Sequence, residues 1–282
     1  MTACVEIRGA GKTYTSARGP VTALTGVDID VREGEFLSLL GPSGCGKSTL
    51  LRCIAGLDDA TQGEIRVRGT VVARPPDRLG MVFQRDVLLD WRSIRDNVLL
   101  AAEFQGLSRR QFAARAQALL ERFGLGDFAD RHPWELSGGM RQRAAICRAL
   151  LCEPEILLMD EPFGALDAQT RAHMQSHLLD IWRNIDITVV FITHDLDEAI
   201  HLADRILVLK PHPGQVQELI EVPVPRPRQP SQWGGAEFRA TKARLEALIN
   251  PAQISPPAAT DGPPSINNVP MIRLTDVADN VE

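Results

Sequence analysis

The chain has 282 residues, 44% of them hydrophobic and 24% charged, the make-up of one large or two small globular domains, which excludes a wholly disordered polypeptide. Of the net charge of −5, residues 251–282 carry −3, so the first 250 residues are nearly neutral and lack the broad basic field that would draw in nucleic acid or an anionic membrane. No apolar run approaches the roughly 20 residues of a membrane span, the first residues lack the profile of a secretory leader, and five cysteines without a C-x-x-C pair read as reduced thiols in the cytosol.

The first clear strand is Phe36–Leu40. It runs into Gly41-Pro42-Ser43-Gly44-Cys45-Gly46-Lys47-Ser48, which fits G-x-x-x-x-G-K-[ST], and a helix is expected over 48–55. That strand–loop–helix context supports phosphate binding: glycines let successive N–H groups point at phosphate oxygens, and the helix N-terminus adds partial positive charge. Lys47 is expected to reach the β- and γ-phosphates and Ser48 to ligate Mg²⁺. Cys45 reads as a small residue whose thiol lies near bound phosphate, so nucleotide should protect it from alkylation.

Further strands are expected over 79–83, 156–159 and 188–193, near-continuous apolar runs that suit buried parallel strands. Between residues 84 and 151 the pattern turns helical, most clearly over 111–123 and 140–151, so a helical insert about 85–152 in a parallel α/β core is expected. The segment Val87-Leu88-Leu89-Asp90-Trp91-Arg92-Ser93-Ile94 is unusually apolar for a connection leaving a strand, and reads either as a partner surface or as core of the insert. The strand over 156–159 ends in Asp160-Glu161, where Asp160 can hold Mg²⁺ and Glu161 can orient or deprotonate a water attacking the γ-phosphate.

Leu136-Ser137-Gly138-Gly139-Met140-Arg141-Gln142-Arg143 puts a serine and two glycines at a helix N-terminus, a second anion site. Two phosphate devices in one chain are most economically read as meeting one nucleotide from opposite subunits. With this octapeptide the sequence resembles the ATP-binding cassette (ABC) ATPases over roughly residues 4–221. The resemblance implies a P-loop NTPase fold of α/β class: a mainly parallel RecA-like core, a small antiparallel β subdomain and a helical subdomain. It implies ATP and Mg²⁺ as ligands, with Thr49 following Ser48 in the phosphate site. Tyr14 matches the aromatic that stacks on adenine, Gln84 the glutamine that senses Mg²⁺ and the γ-phosphate, and Ala165-Leu166-Asp167 the loop between subunits. His194, in His194-Asp195-Leu196-Asp197-Glu198-Ala199, matches the switch histidine. Ser137, Gly138 and Gly139 would face the partner's nucleotide.

The same resemblance implies an ATPase coupled to transport, peripheral on the cytoplasmic face of the cell membrane. Its implied partners are a second ATPase subunit, integral permease subunits and, indirectly, a solute-binding protein, with no nucleic acid. The texture around residues 83–92, His212-Pro213-Gly214 and Val224-Pro225-Arg226-Pro227-Arg228 resembles the nitrate/sulfonate/taurine importer group. An exporter ATPase and a soluble, non-transport ABC ATPase are the alternatives. Twelve of the 19 prolines follow Lys210, so the cassette is expected over 1–230, an amphipathic helical segment over 231–250 with its helix at 238–249, and a loose, acidic, proline-rich tail over 251–282.

Overall fold

The computed structural model describes residues 3–17, 19–185, 187–228 and 234–250. The tail expected over 251–282 lies outside the described residues, as does Pro230. Two sheets organise the rest. Strands β1 (Ala3–Ser16), β2 (Gly19–Arg32), β4 (Gln62–Val67) and β5 (Thr70–Val71) form a four-stranded antiparallel sheet in the order β2-β1-β4-β5. Strands β3 (Phe36–Leu40), β6 (Leu79–Val82), β7 (Ile156–Asp160), β8 (Thr188–Ile192), β9 (Arg205–Lys210) and β10 (Gln215–Glu221) form the second sheet, ordered β10-β9-β3-β8-β7-β6. All its pairings are parallel except β10 with β9.

Every residue of β3, β7 and β8 is buried, which explains their continuous apolar runs: each strand is covered on both faces. The two faces serve different cores. In β3, Phe36 and Leu40 join the core that also holds Val98, Leu120 and Cys147 of the helical region. Leu37 and Leu39 join the core of the antiparallel sheet, with Val5, Ile7, Val27 and Ile65.

Helix α1 (Lys47–Ile54) follows the 41–48 loop. The helical insert consists of α2 (Ile94–Phe104), α3 (Arg109–Arg122) and α4 (Gly138–Leu150). Ser93 and Ser137 cap α2 and α4, accepting from the Asp96 and Met140 amides. Helix α5 (Ala168–Ile185) precedes β8, and α6 (Leu196–Leu202) follows it. The expected terminal helix is α7 (Ala236–Ile249), which buries Phe238, Thr241 and Leu245 and pairs Lys242 with Asp197 of α6 at 2.7 Å.

Two buried arginines fasten the sheet ends. Arg205 pairs with Glu35, its Nη2 2.8 Å from Oε2, and both side chains are almost wholly buried. Arg228 donates to the carbonyls of Ile200 at 2.8 Å and Ala203 at 2.5 Å, satisfying acceptors at the C-terminus of α6. Burial, together with Arg226, pushes the Arg228 guanidinium down to about 10.

Candidate functional site

The 41–48 loop leaves β3 and enters α1 through Gly46, which sits in the left-handed region at φ 91°. A Cβ there would lie 2.5 Å from Leu24 Cδ2 and 2.9 Å from the Ala23 carbonyl, so only glycine fits. The loop forms the floor of a cleft of about 350 Å³ lined by Ser43, Gly44, Gly46, Lys47, Ser48 and Thr49, with Gln84 and Glu161 opposite and Ala23 at its edge. The Lys47 ammonium donates to the carbonyls of Gly41 at 2.7 Å and Pro42 at 3.0 Å. It is thereby folded over the loop at the mouth of α1, where a cation and a helix N-terminus jointly favour an anionic ligand.

Carboxylates close the cleft from β7. Ser48 Oγ donates to Asp160 Oδ1 at 3.1 Å. Asp160 is buried, and desolvation raises its pKa above the ordinary aspartate value despite that hydrogen bond. A hydroxyl and a carboxylate in contact, with the Gln84 amide facing the same cleft, form a hard oxygen-bearing donor set that fits Mg²⁺. The next residue, Glu161, is held at φ 46°, a left-handed conformation uncommon outside glycine, with its amide donating to the Ile192 carbonyl at 3.0 Å. Its Oε2 receives Gln84 Nε2 at 3.4 Å and lies 3.4 Å from His194 Nδ1. The structure therefore gathers Lys47, Ser48, Thr49, Gln84, Asp160, Glu161 and His194 from four separate stretches of chain.

Other expected residues stand apart from this cleft. Tyr14 pairs with Val21 across the β1–β2 ladder, donates to Asp58 at 2.9 Å and stands beside Thr49; burial is the main cause of its raised pKa. Cys45 turns inward. Its side chain is 0% exposed, burial raises its pKa, and the Lys47 ammonium lies 3.8 Å from its sulfur. The expectation of a thiol beside the phosphate, shielded by nucleotide, is thus revised, because the left-handed Gly44 and Gly46 on either side direct the side chain into the core.

Ser137, Gly138 and Gly139 do not line the cleft. Ser137 Oγ caps α4, and a Cβ on Gly139 would lie 2.8 Å from Leu166 Cδ2, so the 165–167 loop packs directly on the turn. Asp167 caps α5, accepting from the Thr170 amide at 2.9 Å, which lowers its pKa. The chain on both sides of Gln84 is also tied to α4: Gln142 donates to the Phe83 carbonyl at 3.0 Å, and Arg141 Nε donates to Asp86 at 2.8 Å. Reasoning from sequence missed those anchors, as well as Ala23 and Asp58. A signal existed only for Asp195, whose side chain caps α6 three residues before Glu198, a pattern legible as a helix start.

The segment over 87–94 divides between its two expected roles. Ile94 is fully buried and Leu88 packs on the core, whereas Val87 is 53% and Trp91 74% exposed. Val87, Leu89, Met81, Ala101, Phe104 and Arg148, among others, line a groove of about 450 Å³, with Phe104 81% exposed. Among the described residues, no helix is long and apolar enough to cross a membrane.

Comparison with known proteins places this geometry in context. The family model described as ABC transporter matches residues 24–164. The chain is 44% identical over 221 residues to the nitrate import ATP-binding protein NrtD of Synechocystis, covering 78% of this chain and 83% of that protein. It is 41% identical over 235 residues to the aliphatic sulfonates import ATP-binding protein SsuB of Bacillus cereus, covering 83% and 92%. Among solved structures it is similar to a dimeric ATP-binding cassette in a post-hydrolysis state bound to ADP and Pi, with a TM-score of 0.70 and 34% identity over 77% of this chain and 98% of that one.

Proposed function

The chain belongs to the ABC transporter family and is an ATP-binding, ATP-hydrolysing subunit; from that premise we propose that it energises an importer for a small anionic or polar solute of the nitrate, sulfonate or taurine type. The observation that carries the ATPase chemistry is the joining of Lys47, Ser48, Asp160, Glu161, Gln84 and His194 around one cleft. Lys47 binds the β- and γ-phosphates. Ser48, Asp160 and Gln84 would hold Mg²⁺, which neutralises charge building on the phosphate oxygens. Glu161 takes a proton from the attacking water, oriented by Gln84 and His194, each 3.4 Å from its carboxylate. Tyr14 offers its ring to the base.

Two copies close on two nucleotides, each held between the 41–48 loop of one subunit and the 137–139 turn of the other, with Asp167 at the contact between them. Support comes from the anion-binding turn lying outside its own chain's cleft and from the dimeric state of the similar cassette bound to ADP and Pi. The groove lined by Val87, Leu89 and Phe104, together with the exposed Trp91, receives a cytosolic segment of an integral permease, which would hold the protein peripherally at the cytoplasmic membrane face. Residues 1–230 form the cassette, 231–250 a helical extension and 251–282 a tail outside this chemistry. The importer names of the similar proteins support the solute class. The test is to purify the membrane complex and measure which solute, presented with its binding protein, stimulates ATP hydrolysis. Stimulation by nitrate, a sulfonate or taurine is expected; a complex that extrudes solute, or one without a permease, would overturn the reading.

A further inference from the structure

Arg171, on the first turn of α5, reaches in two directions. Its Nη2 donates back to the Leu166 carbonyl at 3.1 Å, and its Nη1 lies 3.6 Å from Asp195 Oδ2. Asp195 is itself fixed: its Oδ1 accepts from the amides of Asp197 at 2.9 Å and Glu198 at 3.1 Å, and its own amide donates to Thr193 Oγ1 at 3.0 Å. One turn further along α5, Gln175 donates to Glu198 at 2.8 Å, both residues being buried. Helices α5 and α6 are therefore held together at two successive levels. His194, adjoining Asp195, stands 3.4 Å from Glu161, while Leu166 packs against Gly139 so closely that a methyl group added there would have to push the leucine side chain aside.

We propose that Arg171 is a positioning residue that couples the 137–139 turn, through Leu166, to the His194 and Glu161 side of the same chain's cleft. A guanidinium is a rigid planar fork, so holding the Leu166 carbonyl with one arm and facing Asp195 with the other fixes the spacing of the two loops. A phosphate engaging the turn displaces Leu166. That displacement is carried to Asp195 and hence to His194. The buried Nε of Arg171 has no hydrogen-bond partner among the described residues, so the guanidinium is held by its two arms alone. The proposal rests on the two-site dimer reading above, because the turn meets the partner's nucleotide and His194 the chain's own. It adds a route within one subunit between the two sites.

The test is steady-state ATPase of the purified protein against ATP concentration, with nucleotide affinity measured separately by fluorescence. Arg171→Gln is expected to lower kcat about tenfold, to leave nucleotide affinity within about twofold and to reduce the Hill coefficient to one. Arg171→Lys, which keeps the charge but not the fork, is expected to recover part of kcat without the cooperativity, and serves if the glutamine variant does not fold. Coupling is read from a cycle with Asp195→Asn, in which the double variant should lose no more than the worse single one. Additive losses, or a lowered kcat with the wild-type Hill coefficient, would overturn the proposal and leave the dimer reading standing. A non-cooperative wild type that forms no closed dimer overturns both.

Discussion

Ser48 and Asp160, 112 residues apart in the chain, share a hydrogen bond of 3.1 Å that joins the first turn of α1 to the end of β7. Asp160 is buried where a charge is costly, so a cation offsets what desolvation imposes. Asp160→Asn is therefore expected to raise the Mg²⁺ concentration for half-maximal ATPase by about tenfold or more, with metal-free ATP binding little changed. Metal titrations at fixed ATP check this.

Glu161 offers the carboxylate closest to Gln84 and His194. Glu161→Gln keeps the shape and the hydrogen-bonding capacity but removes the base. Turnover is expected to fall at least about 100-fold, while ATP binding persists and a closed dimer accumulates on size exclusion. Hydrolysis at the wild-type rate would remove Glu161 from its role.

Trp91 is exposed, whereas Ile94, three residues on, anchors the same segment in the core. Trp91→Glu should therefore leave the fold and the isolated subunit's ATPase within about twofold of wild type while abolishing solute-stimulated hydrolysis in the membrane complex. Loss of thermal stability instead would assign Trp91 to packing.

The five cysteines differ in access: Cys152 is partly exposed, and the other four are buried. Peptide mapping after mild alkylation should find Cys152 modified first and Cys45 unmodified in the folded protein, with and without ATP. Rapid modification of Cys45 that nucleotide suppresses would show that its thiol faces the cleft.

His201 is buried, and desolvation, helped by Arg228, Arg226 and Arg183, pushes its pKa down to about 4 from the ordinary histidine value of 6.5. The folded protein keeps this ring neutral while the unfolded chain protonates it. Stability is therefore lost as pH falls from about 6.5 to about 4, and the loss levels off below that. From this residue the expected change between pH 7 and pH 5 is about 2 kcal/mol. Denaturant unfolding at the two values, compared with His201→Gln, should show a smaller difference in the variant.

The central strands were legible because burial on both faces leaves no polar alternation: β3 matches its expected bounds, while β6, β7 and β8 end within one residue of theirs. Strands β1 and β2 were not read from their residues. The alternation Val27-Asp28-Ile29-Asp30-Val31 in β2 was a strand signal that went unused, whereas in β1 several register shifts break the period. The phosphate loop was legible as a motif, yet the direction of Cys45 was not, since left-handed glycines decouple side-chain direction from any periodic pattern. The link between Arg171 and Asp195 joins two helices across 24 residues and leaves no mark in either helix's own spacing.

Strand β3 divides its side chains between two cores and ends at Gly41, giving it the character of a ruler. Its pairings Phe36 with Val189 and Leu37 with Arg205 fix where along the sheet the loop begins. A slip by one residue would send Phe36 and Leu40 into the space of Leu37 and Leu39, disturbing both lobes at once and shifting the loop by about 3.3 Å. An insertion or deletion in these five residues would thus be felt in both cores and at the nucleotide together, because the strand that packs them also sets where the phosphate cradle begins.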